Sequence, residues 1–274
     1  MIQDICPHRL KNQFIVCEPA LSDQLIIISD EKVLLKKDQA DQIVFPCFAD
    51  LKDKNRDIVY LFTMDETRYF RLEDTSIEGF EYIGIKDLRY KGYGPKENIF
   101  AIYTAYHLNC WYEDNRYCGN CGSLMVHDKE ERAQYCPSCH RKVYPRINPA
   151  VIVGVINGDR LLLTRYRNGY GGNAMVAGFT EIGETLEETV KREVKEETGL
   201  EVKNIRYYGS QPWGTASDIL AGFYCDVDGD DRIRMDENEL RYASWVTRED
   251  IVLQESDFSL TNEMMKRFKE GKDC

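Results

Sequence analysis

At 274 residues, with 43% apolar and 30% charged side chains, the chain is long enough for two domains and too balanced in composition to be fibrous or disordered. A formal net charge of -11 argues against a surface that wraps nucleic-acid backbone, although bound divalent cations would still admit a small anionic substrate. The start, Met1-Ile-Gln-Asp-Ile-Cys-Pro-His8, has no basic opening and apolar run, and stretches such as Ala150 to Ile156 are far too short to span a bilayer, so a cytoplasmic protein without membrane contact is expected.

Residues 1 to about 90 carry short β-type runs at Phe14 to Cys17, Gln24 to Ile28, Ile58 to Phe62, Arg68 to Leu72 and Tyr82 to Ile85. Polar turns separate them, which predicts a small mixed sheet. Asn98 to Glu113 has helical spacing, with Ile99, Ile102, Ala105, Tyr106 and Asn109 on recurring turns.

Ten cysteines are many for disulfides in a reducing compartment. Cys6, Cys17, Cys47, Cys110, Cys225 and Cys274 are scattered and read as incidental thiols. Cys118-x-x-Cys121 and Cys136-x-x-Cys139 are different: fourteen residues separate the pairs, the spacing of a zinc ribbon, and each pair sits on a knuckle supplied with glycine or proline. Four thiolates complete a tetrahedral Zn²⁺ and leave no position for water, so this metal is expected to be structural.

After Pro145 the pattern changes. Ala150 to Ile156 and Arg160 to Arg165 read as strands around an Asn157-Gly158-Asp159 turn, followed by a glycine-rich loop, Gly169 to Asn173. Boundaries near 112 and 146 divide the chain into an N-terminal mixed domain (1–112), a ribbon (113–146) and a C-terminal domain (147–274).

Gly178 begins the most informative stretch. Glu184 follows after five intervening residues, and after seven more comes Arg192-Glu193-Val194-Lys195-Glu196-Glu197-Thr198-Gly199-Leu200. Thr185 and Glu188 make a capping box that starts a helix, and Gly199 suits its end. Glu193, Glu196 and Glu197 then share one face, beside an apolar stripe of Leu186, Val190 and Val194, while Lys191, Arg192 and Lys195 are expected to project elsewhere. Like charges so close repel unless a cation lies between them, and hard oxygen ligands suit Mg²⁺ or Mn²⁺.

Gly178 to Leu200 resembles the Nudix box at every defining position. The resemblance implies an α+β fold: a Nudix α/β/α sandwich, here with a preceding zinc ribbon and an N-terminal mixed, sheet-rich domain. It implies pyrophosphate hydrolysis by water, with Glu193 and Glu197 as metal ligands, Glu196 as a further ligand or the base, Arg192 orienting the loop by pairing with Glu184, and the Ala177 carbonyl as an extra ligand. A ribbon placed directly ahead of the box, joined by Tyr144-Pro-Arg-Ile-Asn-Pro149, is similar to the NADH pyrophosphatase family. Those enzymes split NAD(H) into AMP and a mononucleotide, some remove NAD caps from RNA, and they are homodimers whose site draws on both subunits.

The likeness carries further residues across. Glu239 matches an additional metal glutamate, Phe179 and Tyr144 match aromatics that sandwich a base, and Arg89 and Glu131 correspond to substrate contacts. The family's substrate segment reads Ser-Gln-Pro-Trp-Pro-Phe-Pro-x-Ser. Here it is Ser210-Gln211-Pro212-Trp213-Gly214-Thr215-Ala216-Ser217-Asp218, which implies Gln211, Trp213 and Ser217 at the substrate. Its second half departs, replacing a rigid aromatic wall with a flexible polar one, and Asp218 adds negative charge. That half is the signature tied to NADH preference, so ADP-ribose, FAD or a dinucleoside polyphosphate is the competing substrate class. A non-catalytic nucleotide sensor or nucleic-acid-binding regulator is a third reading, opposed by the intact set of box glutamates.

Overall fold

A computed structural model describes residues 1–90, 92–168 and 171–273. Cys274 and the opening Gly169-Tyr170 of the predicted glycine-rich loop lie outside the described residues. The chain forms two units, one of residues 2–146 with 213–217, the other of Met1 with 147–212 and 218–274. Among the described residues no helix is long and apolar enough to cross a membrane.

In the first unit the strands are β1 (Leu10–Lys11), β2 (Gln24–Ser29), β3 (Lys32–Lys37), β4 (Ile43–Val44), β5 (Ile58–Met64), β6 (Thr67–Leu72) and β7 (Glu81–Gly84). They make one mixed sheet in the order β1-β5-β6-β2-β3-β4, with β7 beside β3. Helix α1 (Lys96–Asp114) packs on β2 and β5, burying Ile99, Ile102, Ala105 and Asn109 as its spacing predicts. The buried Asn109 is satisfied by the Arg71 guanidinium, whose Nε donates to it at 2.7 Å.

One expectation fails here, and one strand lies where none was predicted. Phe14 to Cys17 is not a strand. Phe14 and Cys17 lean on the core, but Val16 is 73% exposed and the segment joins no strand among the described residues. Conversely, Lys32–Lys37 is a strand, because its lysines flank three buried residues, Val33, Leu34 and Leu35.

The ribbon strands β8 (Val126–His127), β9 (Gln134–Tyr135) and β10 (Lys142–Val143) form a three-stranded sheet around the cysteines.

The second unit contains β11 (Asn148–Asn157), β12 (Arg160–Tyr166), β13 (Val176–Phe179), α2 (Leu186–Thr198), β14 (Val202–Trp213), β15 (Asp218–Val227), β16 (Leu240–Thr247) and α3 (Leu260–Lys269). Sheet order is β14-β15-β11-β12-β16, with β13 also on β11. The run Ala150 to Ile156 is continuously apolar because both faces of β11 are covered. Val151, Val153 and Val155 face the cluster under α2, while Ile152 and Ile156 face the one under α3. The turn after Asn157 has Gly158 at φ +63°, the left-handed conformation a two-residue hairpin loop demands. A mixed sheet with a helix on each face is the expected sandwich.

Candidate active site

Helix α2 begins where local chemistry starts it. Glu188 N–H donates to Thr185 Oγ1 at 3.2 Å, and Glu188 Oε2 accepts from Thr185 N–H at 2.8 Å. Gly199 ends the helix in the left-handed conformation at φ +72°. Val190 and Val194 are fully buried, each contributing about 1.5–3 kcal/mol that holds the helix against the sheet.

That anchoring sets the depth of the carboxylates. Glu197 lies on the buried side, 2% exposed, whereas the side chain of Glu196 is 60% exposed. Burial pushes the Glu197 carboxyl up to about 8; Tyr166 opposes the shift by donating a hydrogen bond, and the charges of Glu193 and Glu239 add to it. Burial likewise raises Glu193. Glu239, on the segment before β16, is thus electrostatically coupled to both.

Arg192 corrects one expectation. It does not project away from the carboxylates but lies among them, because its long side chain folds back along the helix. Its Nε and Nη2 donate to Glu184 at 2.6 and 2.9 Å, its Nη1 to Glu193 at 2.7 Å and Glu196 at 3.0 Å, and its Nη2 also to the Phe179 carbonyl at 2.9 Å. The guanidinium holds Glu184 at about 2, well below the usual carboxylate range. Thr189, buried and unmarked by the motif, adds a donor to Glu184 at 3.0 Å.

Gly178 explains its own identity. A Cβ there would stand 2.0 Å from the Glu193 carboxyl carbon, so only glycine lets that carboxylate lie against β13. The buried Glu197 and the partly buried Glu193, one helical turn apart and electrostatically coupled to Glu239, offer hard oxygen donors of the kind that suit Mg²⁺ or Mn²⁺.

The four ribbon thiols fit zinc. All four Sγ atoms lie within 4.8 Å of one another, with Cys118–Cys139 and Cys121–Cys136 at 3.5 Å. A tetrahedral site with Zn–S bonds of ~2.3 Å requires sulfurs ~3.8 Å apart. The Cys139 N–H points at Cys136 Sγ at 3.5 Å, the knuckle contact that steadies a ligating sulfur.

Comparison with known proteins agrees with this geometry. The NUDIX domain family matches residues 146–268, and the NADH pyrophosphatase zinc ribbon domain matches 113–144. Residues 113–268 thus pair an NADH pyrophosphatase zinc ribbon domain with a NUDIX domain. The NAD-capped RNA hydrolase NudC of Actinobacillus succinogenes is 43% identical over 159 residues, covering 55% of this chain and 60% of that protein. Its namesake from Shigella flexneri is 43% identical over 146 residues, covering 52% and 56%. The matched stretches thus span less than two thirds of these relatives. A solved NUDIX hydrolase from Nitrosomonas europaea shares the fold, with a TM-score of 0.51 at 22% identity over 57% of this chain and 92% of that one. Nudix hydrolases require a divalent metal, and the ribbon cysteines are those of a structural zinc.

The remaining expected site residues separate by unit. Glu184, Arg192, Glu193, Glu196, Glu197, Glu239, Ala177 and the half-exposed Phe179 belong to the second. In the first, Tyr144 Oη and Lys142 Nζ donate to Glu131 at 2.9 and 2.7 Å, tying Tyr144 and Glu131 together. The Arg89 guanidinium lies 5.2 Å from the Trp213 ring, and Ser217 closes the turn at φ +55°.

Gln211 has a different place from the one expected. It is fully buried, with Nε2 donating to the Phe258 carbonyl at 2.6 Å and Oε1 accepting from Leu260 N–H at 2.7 Å. Its amide ties β14 to the start of α3 instead of facing a ligand. Asp218 is also buried, 6% exposed, with Oδ1 lacking a partner, and burial pushes its carboxyl up to about 7. A simple added charge at the substrate is therefore not what it supplies.

Sequence reasoning missed Tyr166, whose hydroxyl lies 3.0 Å from Glu197 Oε1. A tyrosine closing an apolar strand carries no local mark of such a role.

Proposed function

We propose that the chain hydrolyses the pyrophosphate bond of NAD(H) or a related nucleoside-diphosphate derivative, releasing AMP and a mononucleotide. The observation that carries this reading is the pair of the buried Glu197 and the partly buried Glu193, with Glu193 against Gly178 and bonded by Arg192, and both coupled electrostatically to Glu239. The Glu193, Glu197 and Glu239 carboxylates with the Ala177 carbonyl would hold Mg²⁺ or Mn²⁺, which when bound would supply positive charge to the phosphate oxygens and activate water. Arg192 keeps Glu184 ionised and the loop after β13 in place. Glu196, more exposed than its neighbours, is a further ligand or the base that takes the proton from attacking water. Phe179 and Tyr144 offer planar faces to a base, and Arg89, Glu131, Trp213 and Ser217 contact the substrate.

The relatives named for NAD-capped RNA favour a nicotinamide dinucleotide, free or at an RNA end, although a net charge of -11 gives no general support to RNA binding. A homodimer in the cytoplasm, with domains at 1–112, 113–146 and 147–274, completes the reading. A second substrate class, ADP-ribose, FAD or dinucleoside polyphosphates, is favoured by Gly214-Thr215-Ala216. AMP release across that panel, expressed as kcat/KM, separates the two. Glu197→Gln is expected to lower turnover at least 10³-fold, and an enzyme that frees no AMP from any dinucleotide would refute both readings.

A further inference from the structure

Two of the groups assigned above to the metal, the Glu197 carboxylate and the Ala177 backbone, meet at one side chain that no motif marks. The Tyr166 hydroxyl accepts the Ala177 N–H at 3.0 Å. It stands 3.0 Å from Glu197 Oε1, 3.3 Å from Oε2 and 3.3 Å from the Ala177 carbonyl. A phenol has a single proton to give, and its shortest contact to an acceptor is the one to Glu197 Oε1. One hydroxyl therefore bridges a side chain of α2 and the main chain of β13.

The strand is shaped to deliver it. Along β12, Arg165 pairs with Tyr242 but Tyr166 pairs with Leu240, so Arg241 of β16 is an extra, bulged residue. Bulges re-aim side chains at the ends of sheets. One residue on, Arg167 N–H donates to the Glu239 carbonyl at 2.9 Å. The same irregularity thus aims Tyr166 at Glu197 and ties down the backbone of Glu239.

We propose that Tyr166 is a positioning residue that sets the spacing between the Glu197 carboxylate and the Ala177 main chain, and through it the affinity of the divalent-cation site. The proposal takes the identity of the ligands from the hydrolase reading but does not depend on which substrate is cleaved. A bridging hydroxyl that merely stitched strands together would affect folding and leave ion binding alone.

The test titrates zinc-loaded, otherwise metal-free protein with Mn²⁺, following the free ion by electron paramagnetic resonance. Y166F is expected to weaken Mn²⁺ binding roughly 10- to 100-fold, as loss of a ligand's hydrogen-bond partner commonly does. Its melting temperature without Mn²⁺ should stay near wild type, and saturating Mn²⁺ should restore most of its turnover. T164V removes another buried hydroxyl from the same strand and should bind Mn²⁺ normally. A Y166F dissociation constant within twofold of wild type overturns the proposal.

Should Y166F fold poorly, the double variant with Glu197→Gln decides. A positioning role makes the two changes non-additive, whereas a general folding defect adds to the loss in Glu197→Gln. Wild type that binds Mn²⁺ yet cleaves no dinucleotide refutes the hydrolase reading alone. Y166F with unchanged Mn²⁺ affinity in an active enzyme refutes positioning alone.

Discussion

Glu197 and Asp218 are both buried carboxylates that favour a proton, and they differ in what surrounds them. Glu197 has Tyr166 as a donor and feels the charges of Glu193 and Glu239, as the ligand role proposed for it requires. Asp218 has burial alone acting on its carboxyl. Its folded-state value lies above its unfolded one, so its contribution to stability is complete below about pH 4 and lost as pH rises through about 7. Asp218→Asn, neutral throughout, should match wild type near pH 4 and be about 1–2 kcal/mol more stable at pH 8, read by thermal melts at the two values. A constant difference across pH would refute the assignment. At Gly178 the added Cβ of an alanine meets the end of a flexible side chain, so Glu193 should swing away without unfolding the sheet. Gly178→Ala is expected to lose about 10²-fold or more in kcat while melting within a few degrees of wild type.

At the scale of elements, α2 was readable because everything that defines it is local. Its start depends on residues three apart, its end on one glycine, and its depth on a valine stripe four apart. Thr185→Ala removes the cap and should cost about 1 kcal/mol, visible as a lower melting temperature, with little change in substrate affinity. Strands were readable only where a partner existed. Phe14 to Cys17 has the composition of a strand but pairs with none among the described residues, whereas Lys32–Lys37 hides a buried centre between lysines. Arg192 was misplaced for a related reason: helical spacing fixes where a side chain leaves the backbone, not where a long, flexible one ends.

For the whole molecule, two metals divide the work. Zinc at Cys118, Cys121, Cys136 and Cys139 organises a ribbon whose own apolar cluster is small, centred on Met125 and two of the cysteines. Chelation, or Cys136→Ser, should release about one zinc per chain and lower the melting temperature, and Mg²⁺ should not restore it; an unchanged melt after zinc loss would show that the ribbon does not depend on the ion. The segment Ser210 to Asp218 shows how tertiary context decides residue identity. A Cβ at Gly214 would lie 2.0 Å from the Tyr103 carbonyl oxygen of α1, so no proline fits where the NADH pyrophosphatases carry one. What looked like a flexible substitution is a close backbone approach.

The sequence by itself determined the box from Gly178 to Leu200, the four clustered cysteines, and through them the likeness to Nudix and zinc-ribbon domains, because ligand chemistry and helix capping act over a few neighbouring residues. Tertiary structure alone decided which carboxylates are buried, that Gln211 faces a helix start, that Gly214 lies against α1, and that Tyr166 reaches Glu197. Those outcomes depend on groups distant in the chain meeting across a packed sheet, and no local pattern encodes such meetings.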